Sequence, residues 1–129
     1  MPQVKQALVA TDDRALQQEL SAALKGIGYR VTSSRDASKT QEALGNRQYE
    51  VAFIGAPLPE MSWRSTVTTL KSKSRTTRLV MVTRQADEAE MRSALTAGAY
   101  IVLDRPVSEA EVADILALPR DGQFVVLRD

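Results

Sequence analysis

The chain has 129 residues, 43% of them hydrophobic and 26% charged, and its 17 Lys or Arg against 16 Asp or Glu leave a net charge of +1. That length holds one core-bearing domain and excludes a two-domain enzyme, while the charge balance excludes a disordered chain and a polybasic nucleic-acid binder. Cys and His are both absent, which removes thiol and imidazole catalysis, phosphohistidine chemistry, Cys/His zinc sites and a disulfide framework. Carboxylates, hydroxyls, Lys and Arg remain for any chemistry. Met1 to Lys5 lacks a basic region followed by a long apolar stretch, and no apolar run reaches bilayer-spanning length. A cytoplasmic location is the expectation.

In chain order, Ala7-Leu8-Val9-Ala10 reads as a buried strand. Leu16, Leu20, Leu24 and Ile27 then share a helical face behind a capping Asp13, and Gly26 and Gly28 stop that helix. Tyr29 to Ser33 predicts a second strand, and Asp36 to Leu44 a weakly amphipathic helix ending at Gly45. The third strand, Val51 to Ile54, runs into Gly55-Ala56-Pro57-Leu58-Pro59, where two prolines dictate a loop. Trp63, Val67 and Leu70 line a third helix capped by Ser62, and the Ser/Thr/Arg-rich stretch from Ser74 to Arg78 leads to a strand over Leu79 to Val82. Asp87 and Glu90 mark the start of a helix containing Met91, Ala94 and Leu95 and closing at Gly98. Tyr100 to Leu103 is the fifth strand, and Ser108 with Glu111 forms a capping box for a helix running through Ile115 to Leu118.

Five alternating units with apolar strands imply a parallel sheet covered by helices on both faces, the doubly wound α/β class. Ligand chemistry in such sheets gathers beyond the carboxyl ends of the strands. The residues to interrogate are therefore Thr11-Asp12-Asp13, Gly55-Ala56-Pro57, Thr83-Arg84 and Asp104-Arg105-Pro106.

Taken in order, these strand ends resemble the response-regulator receiver domain of two-component signalling, from about Val4 to Leu118. Leu8 to Asp13 looks like the family's first strand and acidic cluster, and Pro59 and Met61 fall on its Met-Pro-x-Met pattern. Thr83 matches the hydroxyl closing the fourth strand, Ala97-Gly98-Ala99 the Ala-Gly-Ala before the fifth, and Arg105-Pro106 the Lys-Pro after it. The resemblance implies a CheY-like, flavodoxin-like three-layer (βα)5 sandwich with parallel strand order 2-1-3-4-5. It also implies a receiver over residues 1–118 and a separate tail over 119–129.

The departures carry the functional expectation. A working receiver phosphorylates an Asp at the end of its third strand, and that Asp and two upstream acids hold Mg²⁺. Here Gly55 stands at the acceptor position and Thr11 at the first acid, so Asp12 alone keeps its place, with Asp13 and the carbonyl of Pro57 as further candidates for a weak Mg²⁺ site. No tight metal site and no other cofactor is expected. Arg84 replaces the small residue that admits phosphodonors, Arg105 the Lys, and Val102 the switch aromatic. Plainer roles stand beside these: Asp12 and Asp13 as helix N-terminal acids, Gly55 as a close backbone approach or a positive φ, Thr83 satisfying backbone groups, and Arg84 or Arg105 paired with Asp12 or Asp13.

The resulting expectation is a non-enzymatic, atypical receiver that binds a protein partner independently of phosphorylation. Two alternatives remain open: phosphorylation of a displaced acid such as Asp12 or Asp13, and a small anion held by Arg84 and Arg105. The segments from Ala86 to Leu118, a face receivers commonly use, are the expected interface for a partner or a homodimer. Neither direct nucleic-acid contact nor a membrane role is expected. The apolar run in Gln123 to Asp129 leaves three roles open: packing back on the domain, pairing with a second chain, or leading into a linker.

Overall fold

The computed structural model describes residues 5–55, 61–83, 87–105 and 107–118, together with the backbone of 124–125. Strands and helices alternate as β1 (Gln6–Ala10), α1 (Arg14–Gly26), β2 (Arg30–Ser34), α2 (Ala37–Asn46), β3 (Val51–Gly55), α3 (Trp63–Lys73), β4 (Arg78–Thr83), α4 (Glu88–Ala97), β5 (Ile101–Asp104), α5 (Glu109–Ala117) and β6 (Phe124–Val125). The sheet has the order β2-β1-β3-β4-β5-β6 and every pairing is parallel. Its first five strands follow the 2-1-3-4-5 order that the resemblance implies.

Successive strand residues project to opposite faces, so each apolar strand feeds two cores. Val9, Phe53, Val80 and Ile101 pack on one face with Leu20 and Leu24 of α1 and Val112 and Ile115 of α5. Leu8, Ala52, Met81 and Val102 pack on the other with Leu44 of α2, Trp63, Val67 and Leu70 of α3, and Ala94 of α4. The helix starts are where the capping residues place them. Asp13, Asp36, Ser62, Asp87 and Ser108 each accept a backbone N–H of the following turn, and Ser108 with Glu111 completes the reciprocal capping box.

Some boundaries differ from the sequence reading. Helix α1 includes Gly26, and it is Gly28 that adopts a positive φ of 96°. Helix α2 runs through Gly45 to Asn46 and stops where Arg47 turns extended. Gly55 closes β3 rather than opening the loop. The tail departs least from its first option: Phe124–Val125 returns to the domain and pairs in parallel with Ile101–Val102 on the outer edge of β5.

Arg78 is the main departure. The sequence reads as a polar approach to β4, yet Arg78 is the strand's first residue and is only 5% exposed. Its Nη2 lies 3.5 Å from Glu50 Oε1 and its guanidinium stacks 5.4 Å from the Tyr100 ring centre, while Nε and Nη1 have no hydrogen-bond partner. A buried cation so lightly compensated is sensitive to the loss of the Glu50 carboxylate. Glu50→Gln should therefore cost about 3 kcal/mol in urea unfolding, because it strands the charge. Arg78→Met removes the charge and keeps the apolar stem, and should cost less than about 1.5 kcal/mol. Equal losses for the two variants would show that the charge is not what makes the site fragile.

Candidate functional site

The strand ends converge at the carboxyl edge of the sheet. Strands β1 and β3 are neighbours, with Ala10 opposite Ile54, so the next residues, Thr11 and Gly55, meet side by side. Thr11 is 4% exposed. A Cβ built on Gly55 would collide with Thr11 Oγ1, sit 2.8 Å from Thr11 Cβ and 3.2 Å from Leu16 Cδ2. Thr11 is β-branched and stiff at χ1, so it cannot swing clear cheaply. The φ of Gly55 lies outside the left-handed region, so of the two structural roles considered for this glycine it is close approach, not backbone conformation, that applies.

Thr11 also shapes the turn into α1. Its Oγ1 accepts the Asp13 N–H at 3.1 Å, and Asp13 Oδ1 in turn accepts the Leu16 N–H at 3.1 Å as the helix cap. The other carboxylate oxygen, Oδ2, accepts from Arg105 Nη1 at 2.7 Å, an ion pair whose side chains are 17% (Arg105) and 32% (Asp13) exposed. Charge-assisted bonds of this length are the stronger kind. The Leu16 N–H, and after it the Arg105 guanidinium, hold the Asp13 carboxyl below the usual carboxylate range. Arg105 is itself anchored, because its N–H donates to the Thr83 carbonyl at 2.8 Å.

The remaining candidates divide. Asp12 is exposed and lines a groove of about 220 Å³ with Thr11, Arg14, Gln17, Ser33 and Arg35. Gln17 Nε2 ties that edge together, donating to Ser21 Oγ at 2.9 Å and Ser33 Oγ at 2.8 Å. Thr83 ends β4 opposite Asp104 of β5, and Val102 is 1% exposed in the core under α3 and α4. Arg84, Pro57 and Pro106 lie outside the described residues. Sequence reasoning assigned no role to Asp104, whose Oδ1 is buried without a hydrogen-bond partner; its place at a strand end was the only signal.

Among the described residues these donors do not fit Mg²⁺. The ion demands about six oxygen ligands in near-octahedral geometry. Thr11 and Gly55 supply no carboxylate, both oxygens of Asp13 already accept hydrogen bonds, and Asp12 stands alone at the surface. The described residues hold no cluster of three acids or other metal-ligating side chains.

Because the folded carboxyl of Asp13 titrates below its unfolded value, its contribution to stability is complete above the ordinary carboxylate pKa and is lost as pH falls through the lowered one. Arg105→Met should raise the Asp13 pKa without returning it fully to the ordinary value, since the Leu16 cap persists. The acid-unfolding midpoint should move to higher pH with it. A ¹³C carboxyl titration that finds Asp13 unmoved in this variant would break the assignment.

The sequence profile of the response regulator receiver domain matches residues 7–117. Two transcriptional regulators of Pseudomonas aeruginosa are similar: the transcriptional regulatory protein GltR, 29% identical over 94% of this chain, and the transcriptional activator protein PfeR, 29% identical over 81% of it. The chain spans 51% and 34% of those proteins' lengths. Among solved structures, a CheY-like receiver domain protein from Methanospirillum hungatei superposes with a TM-score of 0.80 at 22% identity, over 87% of this chain and 90% of that one. Chemotaxis response regulator CheY4 of Vibrio cholerae gives 0.78 at 19% identity, over 88% and 97%. At these identities the superpositions speak for the fold alone. With the profile covering residues 7–117 and the first five strands in the family's order, the chain belongs to the response regulator receiver domain family.

Proposed function

We propose that this receiver domain is a regulatory module that engages a protein partner independently of phosphorylation. Receiver domains are signalling modules that interact with kinases or output domains, so the partner class follows from the family. The atypical behaviour is argued from one observation: the Thr11 side chain occupies the space into which any side chain at position 55 would project. Glycine offers no carboxylate for an acyl phosphate. Thr11 Oγ1 and Cβ stand where the first carbon of such a side chain would be.

Two further features favour this reading. Arg105, on the family's Lys position, is paired with Asp13 through its Nη1. Val102, on the switch position, is too short and too deeply packed to report movement of the Thr83 hydroxyl. The same ion pair counts against a small anion held by Arg105, and Asp13 as a displaced acceptor would have to surrender both its cap and its ion pair. Asp12 is exposed but has only its own carboxylate to offer.

The partner would be met through the segments from Ala86 to Leu118, as a signalling protein or an output domain, in the cytoplasm. No helix of the described residues is long and apolar enough to cross a membrane. The similarity to transcriptional regulators makes control of a DNA-binding neighbour a fitting output, and the net charge of +1 argues against direct phosphate tracking by this chain.

Treatment with acetyl phosphate and Mg²⁺ should leave the intact mass unchanged, and beryllofluoride should leave the ¹⁵N–¹H spectrum in place. Gly55→Asp alone should remain unphosphorylated, because the new carboxylate meets Thr11. A phosphoryl group added to the wild-type chain would defeat the proposal.

A further inference from the structure

Strands β1 and β2 also end side by side. Ala10 stands opposite Ser34, and the Thr11 N–H donates to the Ser34 carbonyl at 3.0 Å. The groove of about 220 Å³ that Asp12 lines opens between these two chain segments, with Asp12 and Arg14 contributed by the turn into α1, and Ser33 and Arg35 by the end of β2. Gly55, Thr83 and Arg105 do not line it, so it is distinct from the position at which a receiver is phosphorylated. Its volume falls below the roughly 300 Å³ at which pockets for drug-sized molecules begin, so its occupant is small.

The lining carries both signs of charge. Asp12, Arg14 and Arg35 are exposed, and their side chains make no ion pair or hydrogen bond among the described residues. The adjacent acids are engaged elsewhere: Asp13 caps α1 and holds Arg105, and Asp36 accepts the Lys39 N–H at 2.8 Å as the cap of α2. The neutral lining is already oriented. Gln17 Nε2 donates to both Ser21 and Ser33, which leaves Gln17 Oε1 to accept and the Ser33 hydroxyl hydrogen to donate. The groove therefore offers two guanidiniums and a hydroxyl to an anionic group, and a carboxylate and an amide oxygen to a cationic one.

We propose that this groove binds a small zwitterion of the α-amino-acid class. Arg14, Arg35 and the Ser33 hydroxyl take the carboxylate, for which the planar guanidinium fork is suited. Asp12 and Gln17 Oε1 take the ammonium. A plain anion would face the Asp12 carboxylate and a plain cation the two guanidiniums, whereas a molecule carrying both charges uses the whole lining. Its side chain has room to leave, because a wider groove along α2, of about 460 Å³, begins at the same Ser33 and Arg35. The site shares no residue with the segments from Ala86 to Leu118. It does not depend on the fate of phosphoryl chemistry at Gly55, and it gives a module without an acceptor carboxylate an input of another kind.

Titration of the full chain, followed in ¹⁵N–¹H spectra that include the arginine side-chain N–H signals, tests it. The ordinary L-amino acids are added one at a time to about 10 mM, near saturation for a millimolar Kd. Acetate and ethylammonium serve as the separate halves. At least one amino acid should give saturable shifts at Arg14, Gln17, Ser33 and Arg35 with a Kd on the order of 1 mM, and neither half should bind as tightly. Arg35→Gln should weaken that amino acid on the order of tenfold, as loss of a charge-assisted bond does. Asp12→Asn separates a zwitterion from a plain anion: it should weaken the amino acid and strengthen acetate. Lys73→Gln, on α3, should change neither. All three positions are exposed, and the dispersion of each spectrum shows that the variant is folded; if one is not, the wild-type ranking of amino acid against its halves decides. The absence of a saturable shift with any amino acid overturns the proposal. So does acetate binding as tightly as the amino acid, an affinity untouched by Arg35→Gln, or amino-acid binding that is unchanged or tighter in Asp12→Asn, which would leave a site for simple anions.

Discussion

The contact between Thr11 and Gly55 organises the carboxyl edge of this domain. Two adjacent parallel strands end side by side, and a β-branched side chain on one fills the space that the missing side chain on the other leaves. The same hydroxyl accepts the Asp13 N–H, Asp13 Oδ1 caps α1, and Asp13 Oδ2 fastens Arg105 at the end of β5. One packing contact is thus followed by three polar ones, and together they tie β1, α1 and β5 into a fixed edge. In a phosphorylatable receiver that edge has to admit a donor, hold a cation and move a hydroxyl. Here Thr11 and Gly55 carry no carboxylate, and Asp13 and Arg105 are paired with each other.

Much of this was legible in the sequence because it is local. Asp13, Asp36, Ser62, Asp87 and Ser108 each stand just before an amphipathic stretch, and capping is a contact over two or three residues, so the helix starts could be read directly. The apolar strands were equally plain, because parallel strands buried on both faces are apolar at nearly every position. The Arg105–Asp13 pair was foreseen only as one of several pairings, since charge necessity does not choose between partners 92 residues apart. The substitutions at Thr11 and Gly55 were visible separately. Their interlock was not, because it depends on the register between β1 and β3, which brings two distant residues into contact.

Arg78 and the tail were harder for a different reason. A basic residue in a Ser/Thr-rich stretch reads as solvated, and only the packing of Tyr100 and Glu50 around it makes burial tolerable. A two-residue strand such as Phe124–Val125 has no periodicity to detect, so nothing local distinguishes an edge pairing within the chain from one with a second chain.

The most direct test of the central claim is a double-mutant cycle between positions 11 and 55, read by equilibrium unfolding. If Thr11 occupies the space of a side chain at 55, Gly55→Ala should cost about 2 kcal/mol in the wild-type background, as overpacking does in a filled core. In a Thr11→Gly background the same substitution should cost less than about 0.5 kcal/mol, because the colliding atoms are gone, and the difference is the coupling between the two sites. Equal costs in both backgrounds would contradict the interlock.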